Sequence, residues 1–251
     1  GRSLAVAEEA VAPILAMADG DGRYLLNIVE QIYSLAGPKA VLSLPQVTSG
    51  LQKRAPAYDK SGDGHYNLIS ALHKSVRGSD PDAALYWFAR MIDGGEDPLY
   101  LARRLVRMAS EDIGLADPTA LMVASEAARA YERMGSPEGE LALAHAVIHL
   151  ATAPKSNAAY VAWKAALSSA RETGSLIPPK HILNAPTKMM KDQGYGDGYA
   201  YDHDTEEGVS GQNYFPDGMA RQVFYQPKGQ GREKSIAERL AWIAKIREQK
   251  G

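Results

Sequence analysis

Arg23 is the residue of this sequence whose position best suits it to bind a phosphate group. It lies in the first turn of a predicted helix that begins near Asp21, where a cation opposes the helix dipole. Because backbone N–H groups at a helix N-terminus and a guanidinium can converge on one anion, this position is a candidate phosphate site. A solvated surface arginine is the alternative interpretation.

Further basic side chains lie close together in two predicted helices and can form a stripe that contacts nucleic-acid phosphates. These residues are Lys74, Arg77, Arg103, Arg104 and Arg107. The alternative is a solvated helix face whose arginines pair with Glu111 and Asp112. The net charge of −2 supplies no general attraction for nucleic acid, so any such contact must be local.

His145 and His149 stand four residues apart on one predicted helix, a spacing that can bring two imidazoles to one zinc ion. No Glu follows His145, so the metalloprotease pattern is absent, and the apolar neighbours favour packed or partly exposed histidines. A metal-dependent hydrolase is therefore the hypothesis with the least support. A later acidic cluster has no recognised ligand spacing, and we predict a solvated loop for Asp202, His203, Asp204, Glu206 and Glu207. No metal site is predicted.

The segment GQGREKS, Gly229–Ser235, superficially resembles a phosphate-binding loop. The Walker spacing requires Gly directly before Lys, whereas Glu233 precedes Lys234 here. No other segment supplies that loop, and no predicted strand ends in an acidic pair that would hold magnesium. We therefore predict no catalytic residue and no cofactor in this chain, and no ATP hydrolysis by it.

The elements that carry these residues are predicted to be helices. Four dipeptides place a capping residue before proline at the start of an apolar-periodic segment: Asp80-Pro81, Asp97-Pro98, Asp117-Pro118 and Ser136-Pro137. With a helix before them and another near Ser156, they predict about six consecutive helices, as an antiparallel bundle or a short solenoid. Abundant alanines favour close packing of the helix axes.

The predicted organisation is all-α throughout. Three helices of residues 1–56 form a small bundle, and a polar linker covers residues 57–63. A larger helical domain covers residues 64–180. Residues 181–251 form an irregular extension of the same domain, rich in Gly, Tyr and acidic residues, with a long loop, a short strand predicted at 222–226 and a terminal helix from about Ser235.

Composition narrows the class of protein. The 251 residues contain no cysteine, which excludes disulfides and thiolate metal sites and fits a reducing cytoplasm. No apolar run approaches the length that spans a membrane. The chain begins GRSLAVAEEA without Met, so we expect it to be part of a longer protein.

Several long sequence blocks resemble the C-terminal region of the MgsA/RarA family, AAA+ ATPases of replication-fork maintenance that include the eukaryotic Werner helicase-interacting protein. The blocks are LISALHKSVRGSD from Leu68, DAALYW from Asp82, SEDIG from Ser110, APKSNAAY from Ala153 and NAPTKMMKDQGYG from Asn184. The segment GDGRYLLN from Gly20 also resembles the signature of the AAA+ lid subdomain. By that resemblance Arg23 is the sensor 2 residue, which reaches the ATP γ-phosphate.

The resemblance implies the role of each part. Residues 1–56 would be an AAA+ lid subdomain, and the larger domain an oligomerisation domain akin to the clamp-loader collar, assembled as a homotetramer. The intact protein would use ATP and Mg²⁺ in DNA replication, recombination and repair at stalled forks. DNA and single-stranded-DNA-binding protein are the implied partners, and the nucleoid-associated cytoplasm is the implied location. The alternative function is a helical protein-interaction adaptor without an attached ATPase.

Overall fold

The molecule is built of helices that fall into two compact units. The computed structural model describes residues 6–18, 22–35, 42–47 and 63–250. Within these ranges no β-strand forms beyond an isolated bridge between Val6 and Leu42, so the prediction of an all-α fold is confirmed. One unit comprises residues 1–69 and 89–97, and the other comprises residues 70–88 and 98–251.

The first unit begins with two helices around a small apolar core. Helix α1 spans Glu8–Ala18 and helix α2 spans Gly22–Leu35, close to the predicted bounds. Residues 44–47 form the short helical turn predicted at Pro45. Gln46 caps the start of this turn, because its side-chain oxygen accepts from the backbone N–H of Ser43 at 3.0 Å. The buried core consists of Ala10, Ile14, Ile28, Ile32, Leu42 and Val47.

Helix α3 (Asp63–Arg77) and helix α4 (Pro81–Asp93) follow, joined by a tight turn. Helix α3 ends at a left-handed residue, Ser79, with φ of +60°, and the N–H of Asp80 donates to the carbonyl of Ser75 at 3.0 Å. Asp80 then caps α4 by accepting from the N–H of Ala83 at 2.9 Å. The cap by Asp80 was predicted from the sequence and is confirmed, and α3 ends directly before Gly78 as predicted, although Ser79 is the residue that adopts the left-handed conformation.

The remaining predicted helices of the second unit are also present. Helix α5 spans Pro98–Met108, α6 spans Thr119–Met134, α7 spans Glu138–Thr152 and α8 spans Ala158–Glu172. Proline is the first residue of α4 and α5, as predicted, whereas α6 and α7 each begin one residue after their proline. Asp117 still caps α6, since its carboxylate accepts from the N–H of Thr119 at 3.0 Å.

Close packing of α6 against α7 depends on small side chains. The buried residues of α6 are Ala120, Ala124 and Ala127. Gly139 of α7 is buried against Tyr131, where a Cβ atom would lie 2.8 Å from the Tyr131 Cα. The abundance of alanine therefore does allow close approach of the helix axes, as the sequence predicted.

The C-terminal extension is mostly irregular. Helix α9 (Lys188–Asp192) is short, and Thr187 caps it by accepting from the N–H of Met190. Helix α10 (Glu233–Lys250) begins two residues earlier than predicted. The prediction of a strand at 222–226 is wrong, because this segment has no backbone partner with which to form a ladder among the described residues.

Two further observations bear on the organisation. No helix in the described ranges is both long enough and apolar enough to cross a lipid bilayer. Residues 57–62 of the predicted linker lie outside the described residues. The boundaries of the proposed lid, linker, helical domain and extension therefore stay predictions.

Candidate functional site

A widened helical turn in the second unit carries two carboxylates. Helix α5 runs directly into a π-helical turn, Ala109–Ile113, a local geometry that is frequent at functional sites. Gly114 ends this turn with φ of +52°, a conformation that disfavours residues with a Cβ atom. Asp112 points inward and is 5% exposed, whereas Glu111 lies at the rim.

Asp112 is bound by two side chains from one face of α3. Nε2 of His73 lies 2.5 Å from one carboxylate oxygen, and Nε of Arg77 donates to the other at 2.6 Å. His73 and Arg77 are four residues apart and therefore project from the same face of α3. The backbone carbonyl of Asp112 also accepts from the N–H of Ser156 at 2.7 Å. Three segments that are distant in sequence meet at this carboxylate.

The partners of Asp112 keep it ionised. Burial alone would raise the pKa of Asp112, but the hydrogen bonds from His73 and Arg77, together with their charges, outweigh burial and hold the pKa below its ordinary value. The hydrogen bond to Asp112 raises the pKa of Arg77 in turn. Asp112 is therefore a structural anion that ties α3 to the π turn.

Glu111 binds two of the arginines predicted to contact nucleic acid. Nε of Arg107 donates to it at 2.7 Å, and Nη2 of Arg77 lies 3.8 Å from its other oxygen. The hydrogen bond to Glu111 raises the pKa of Arg107. Arg77 and Arg107 are both more than half exposed. The predicted pairing with Glu111 and Asp112 is thus present, while both guanidinium groups keep a solvent-facing side.

The structure does not bring Lys74, Arg103 or Arg104 to this point. Lys74 is exposed on α3, and Arg103 lines a separate cavity beside Ala128 of α6. Arg104 is partly buried, and its Nε has no hydrogen-bond partner among the described residues. Arg23 lies in the first turn of α2, as predicted, but its side chain is outside the described part of the chain. The phosphate roles of all these residues stay predictions.

An aromatic groove borders the π turn on the side of α8. We define it by Arg107, Tyr160, Trp163 and Lys164, which line a cavity of about 430 Å³. The guanidinium carbon of Arg107 lies 5.7 Å from the centroid of the Tyr160 ring, and Nζ of Lys164 lies 5.2 Å from it. Trp163 is 64% exposed. This groove was not predicted from the sequence, although the adjacent Trp-Lys pair three and four residues after a Tyr was a usable signal.

Additional cations lie in a neighbouring cavity of about 370 Å³, which shares Glu111 and Tyr160 with the aromatic groove. Arg77, Lys155 and Lys228 line it. Nζ of Lys155 donates to the carbonyls of Ala151 and Ala153 at 2.9 and 2.6 Å. Burial lowers the pKa of Lys155, an effect that the charge of Asp112 opposes.

The segment that superficially resembles a phosphate loop is a structural clasp, which we define as Gly231–Glu233. Arg232 donates its N–H to the carbonyl of Ala116 at 2.9 Å, which fixes the start of α10 to the helical domain. Glu233 is fully buried and accepts from the Tyr225 hydroxyl at 3.0 Å and from the Lys228 N–H at 2.7 Å. Burial and the hydrogen bond to Glu233 raise the pKa of Tyr225 to about 12. The clasp thereby holds Lys228 beside the second cavity.

His149 and Asp202, two of the candidate metal ligands, contact other side chains. Nε2 of His149 lies 3.1 Å from a carboxylate oxygen of Asp117, and His145 is exposed. Asp202 accepts from the Ser210 N–H and the Tyr214 hydroxyl. In the ranges that the structure describes, no group of three or more His, Cys, Asp or Glu side chains could hold a metal ion.

Two models of AAA+ C-terminal regions match this helical chain. The family model described as "AAA C-terminal domain" matches residues 1–77, and the model described as "MgsA AAA+ ATPase C terminal" matches residues 78–244. The chain therefore belongs to the MgsA family of AAA+ ATPases. This membership confirms the resemblance found in the sequence and favours it over the adaptor hypothesis.

Named relatives support the same family assignment. Replication-associated recombination protein A of Escherichia coli strain K12 is 47% identical over 97% of this chain and 56% of its own length. The protein of that name from Coxiella burnetii is 46% identical over 99% of this chain and 57% of its own length. "ATPase WRNIP1" of Dictyostelium discoideum is 42% identical over 90% of this chain and 28% of its own length. The chain thus spans about half the length of the bacterial relatives.

Proposed function

We propose that this chain is the lid and oligomerisation region of an AAA+ ATPase and that it holds several ATPase modules together in a homotetramer. Membership of the MgsA family supports the link to an ATPase. In such an assembly each nucleotide site can be completed by a neighbouring subunit. The function of these helices would then be to hold the subunits together.

The outward face of α7 carries this proposal. Leu141 is 76% exposed and Ile148 is 41% exposed. They are seven residues apart and so project from the same face, opposite the buried Leu143, Val147 and Leu150. Large apolar side chains that are aligned and left in water favour association. A second copy of this chain is the occupant that a tetramer requires.

Nucleotide chemistry in this proposal belongs to the intact protein. ATP and Mg²⁺ would bind in a module that carries the Walker motifs, and Arg23 of the lid would reach the γ-phosphate as sensor 2. The 251 residues by themselves would not hydrolyse ATP, because the Walker spacing does not occur in their sequence.

The intact protein would act on DNA at stalled replication forks in the nucleoid-associated cytoplasm. The names of the bacterial relatives, which refer to replication-associated recombination, support this proposal. Single-stranded-DNA-binding protein is the proposed protein partner. Lys74, Arg77, Arg103, Arg104 and Arg107 are the proposed contacts to DNA phosphates.

Light scattering of the purified chain without nucleotide tests the assembly. The expected mass at micromolar concentration is four times that of one chain. The double variant Leu141→Glu/Ile148→Glu should lower this mass, because each subunit contact would then bury carboxylates. Ile177→Glu is the matched control, since Ile177 is 73% exposed and lies outside α7. A monomeric wild-type chain would contradict the tetramer, and an unchanged mass of the double variant would contradict the role of α7.

A further inference from the structure

We propose that the aromatic groove binds unpaired bases of a single-stranded nucleic acid, which stack on Trp163 and Tyr160, while phosphates contact the cations along the two adjoining cavities. The inference rests on the proposed action on DNA and deepens it by assigning a binding surface. It is independent of the assembly through α7. None of Tyr160, Trp163, Lys164, Lys155 and Lys228 was predicted to bind a ligand from the sequence.

The aromatic rings supply the surfaces on which bases can stack. Most of the Trp163 side chain faces water, although burial of an indole is favourable. Tyr160 lies in the same groove, three residues earlier on α8, and its ring centroid lies 5.7 Å from the guanidinium carbon of Arg107 and 5.2 Å from Nζ of Lys164. Stacking on aromatic side chains tolerates any base, because every base has a π face. The groove can therefore bind a strand without selecting its sequence.

The charges around the rings match a polyanion. The two adjoining cavities are lined by five cationic residues, Arg77, Arg107, Lys155, Lys164 and Lys228, and two carboxylates, Glu111 and Asp112. This local excess of positive charge occurs in a chain whose net charge is −2. Glu111 and Asp112 also orient Arg107 and Arg77, whose exposed sides remain available to phosphates.

The same features favour a single strand over a duplex or a protein partner. Bases of a duplex are stacked on one another and cannot reach Trp163 without unpairing. A protein partner with an apolar surface would bury the groove and leave the ring of cations without compensation. An unpaired strand offers both base faces and regularly spaced phosphates.

Fluorescence anisotropy with labelled oligo-dT and the whole chain tests the inference. The wild-type chain should bind at low salt and release the strand as salt is raised. Trp163→Ala should weaken binding about tenfold, and Trp163→Phe should retain most of it because an aromatic face remains. Lys164→Glu should also weaken binding and should reduce its dependence on salt.

Trp242→Ala is the matched control. Trp242 is partly exposed on α10, and the guanidinium carbon of Arg239 lies 4.0 Å from its ring centroid, so it is a second tryptophan paired with a cation. Its removal should leave binding of oligo-dT unchanged. Circular dichroism of each variant verifies that the helices remain folded, and an oligo-rU arm tells whether the 2′-hydroxyl affects affinity.

Four results would overturn the inference. The wild-type chain fails to bind oligo-dT at low salt, or Trp163→Ala binds as the wild type does. The affinity for duplex DNA falls in Trp163→Ala as strongly as the affinity for the single strand does. Finally, Trp163→Ala lowers the native mass without altering DNA affinity, in which case the groove is a contact between copies. Each result is distinct from failure of the α7 contact, which is read from the mass of Leu141→Glu/Ile148→Glu.

Discussion

At the scale of single residues, Asp112 stabilises the fold through the groups that it holds together. Its carboxylate binds His73 and Arg77 from α3, and its backbone carbonyl binds Ser156, which precedes α8. A buried carboxylate without such partners would take up a proton or destabilise the fold. The charge balance of this triad, in which an anion lies between two basic groups, keeps α3, the π turn and the start of α8 in register.

Asp112→Asn should lower stability at neutral pH and reduce the acid sensitivity of the chain. The pKa of Asp112 is lowered in the folded state, so its contribution is complete above the unfolded-state pKa of about 3.9 and is lost as the pH falls through the folded value. Urea unfolding should show a loss of about 1–3 kcal/mol at pH 7. Between about pH 5 and pH 3 the free energy of unfolding should fall less in the variant than in the wild type.

Glu126→Gln is the control for this experiment. Glu126 pairs with Arg129 at 2.6 Å, but both side chains are about two-thirds exposed. Water screens such a pair, so the change should cost less than about 1 kcal/mol. Equal effects of the two substitutions would show that the burial and partners of Asp112 do not contribute to stability.

At the scale of elements, the clasp of Gly231–Glu233 decides where α10 begins. The bond from Arg232 to Ala116 and the buried Glu233 hold the irregular extension against the helical domain. Gly231 is required because its backbone is left-handed and because there is no room for a Cβ atom. Its φ is +50°, and a Cβ atom there would overlap the carbonyl oxygen of Ala116 and lie 2.7 Å from Cγ of Pro154.

Gly231→Ala should therefore loosen the attachment of α10. Gly229→Ala is the matched control, because Gly229 has φ of +71° but no atom within 4 Å of the Cβ position, so only the conformational cost applies. We expect Gly231→Ala to lose about 1–3 kcal/mol more than Gly229→Ala in urea unfolding. Hydrogen exchange of the α10 amides should also accelerate in Gly231→Ala alone. Identical behaviour of the two variants would mean that the clasp does not depend on close contact.

At the scale of the whole molecule, the residues proposed for assembly and those proposed for ATP hydrolysis lie in different units. The α7 face and the aromatic groove lie in the second unit, whereas Arg23 lies on α2 in the first. A protein divided in this way should lose ATP turnover and assembly through different substitutions.

Arg23→Ala in the intact protein tests this division. Loss of a cation that stabilises the γ-phosphate should lower ATP turnover by at least about tenfold, while the native mass stays that of the wild type. Arg129→Ala, an exposed arginine on α6, should change neither quantity. Turnover that is unaffected by Arg23→Ala would refute the sensor 2 assignment, and a reduced mass would refute the separation.

The sequence by itself determined the helical fold, most helix starts and the family. Capping by Asp80 and Asp117 acts within three residues, so residue types in order are sufficient to predict it. The pairing of Arg107 with Glu111 is equally local, since the two residues are one helical turn apart.

Only the tertiary structure decided which distant groups meet. His73 and Asp112 are 39 residues apart, and no periodic pattern predicts that a π turn will direct this carboxylate toward α3. The predicted strand at 222–226 failed for a related reason, because a strand needs a partner and the fold offers none among the described residues. The exposure of Trp163 and the close contacts of Gly231 with Ala116 and Pro154 likewise depend on packing between elements, which sequence spacing does not encode.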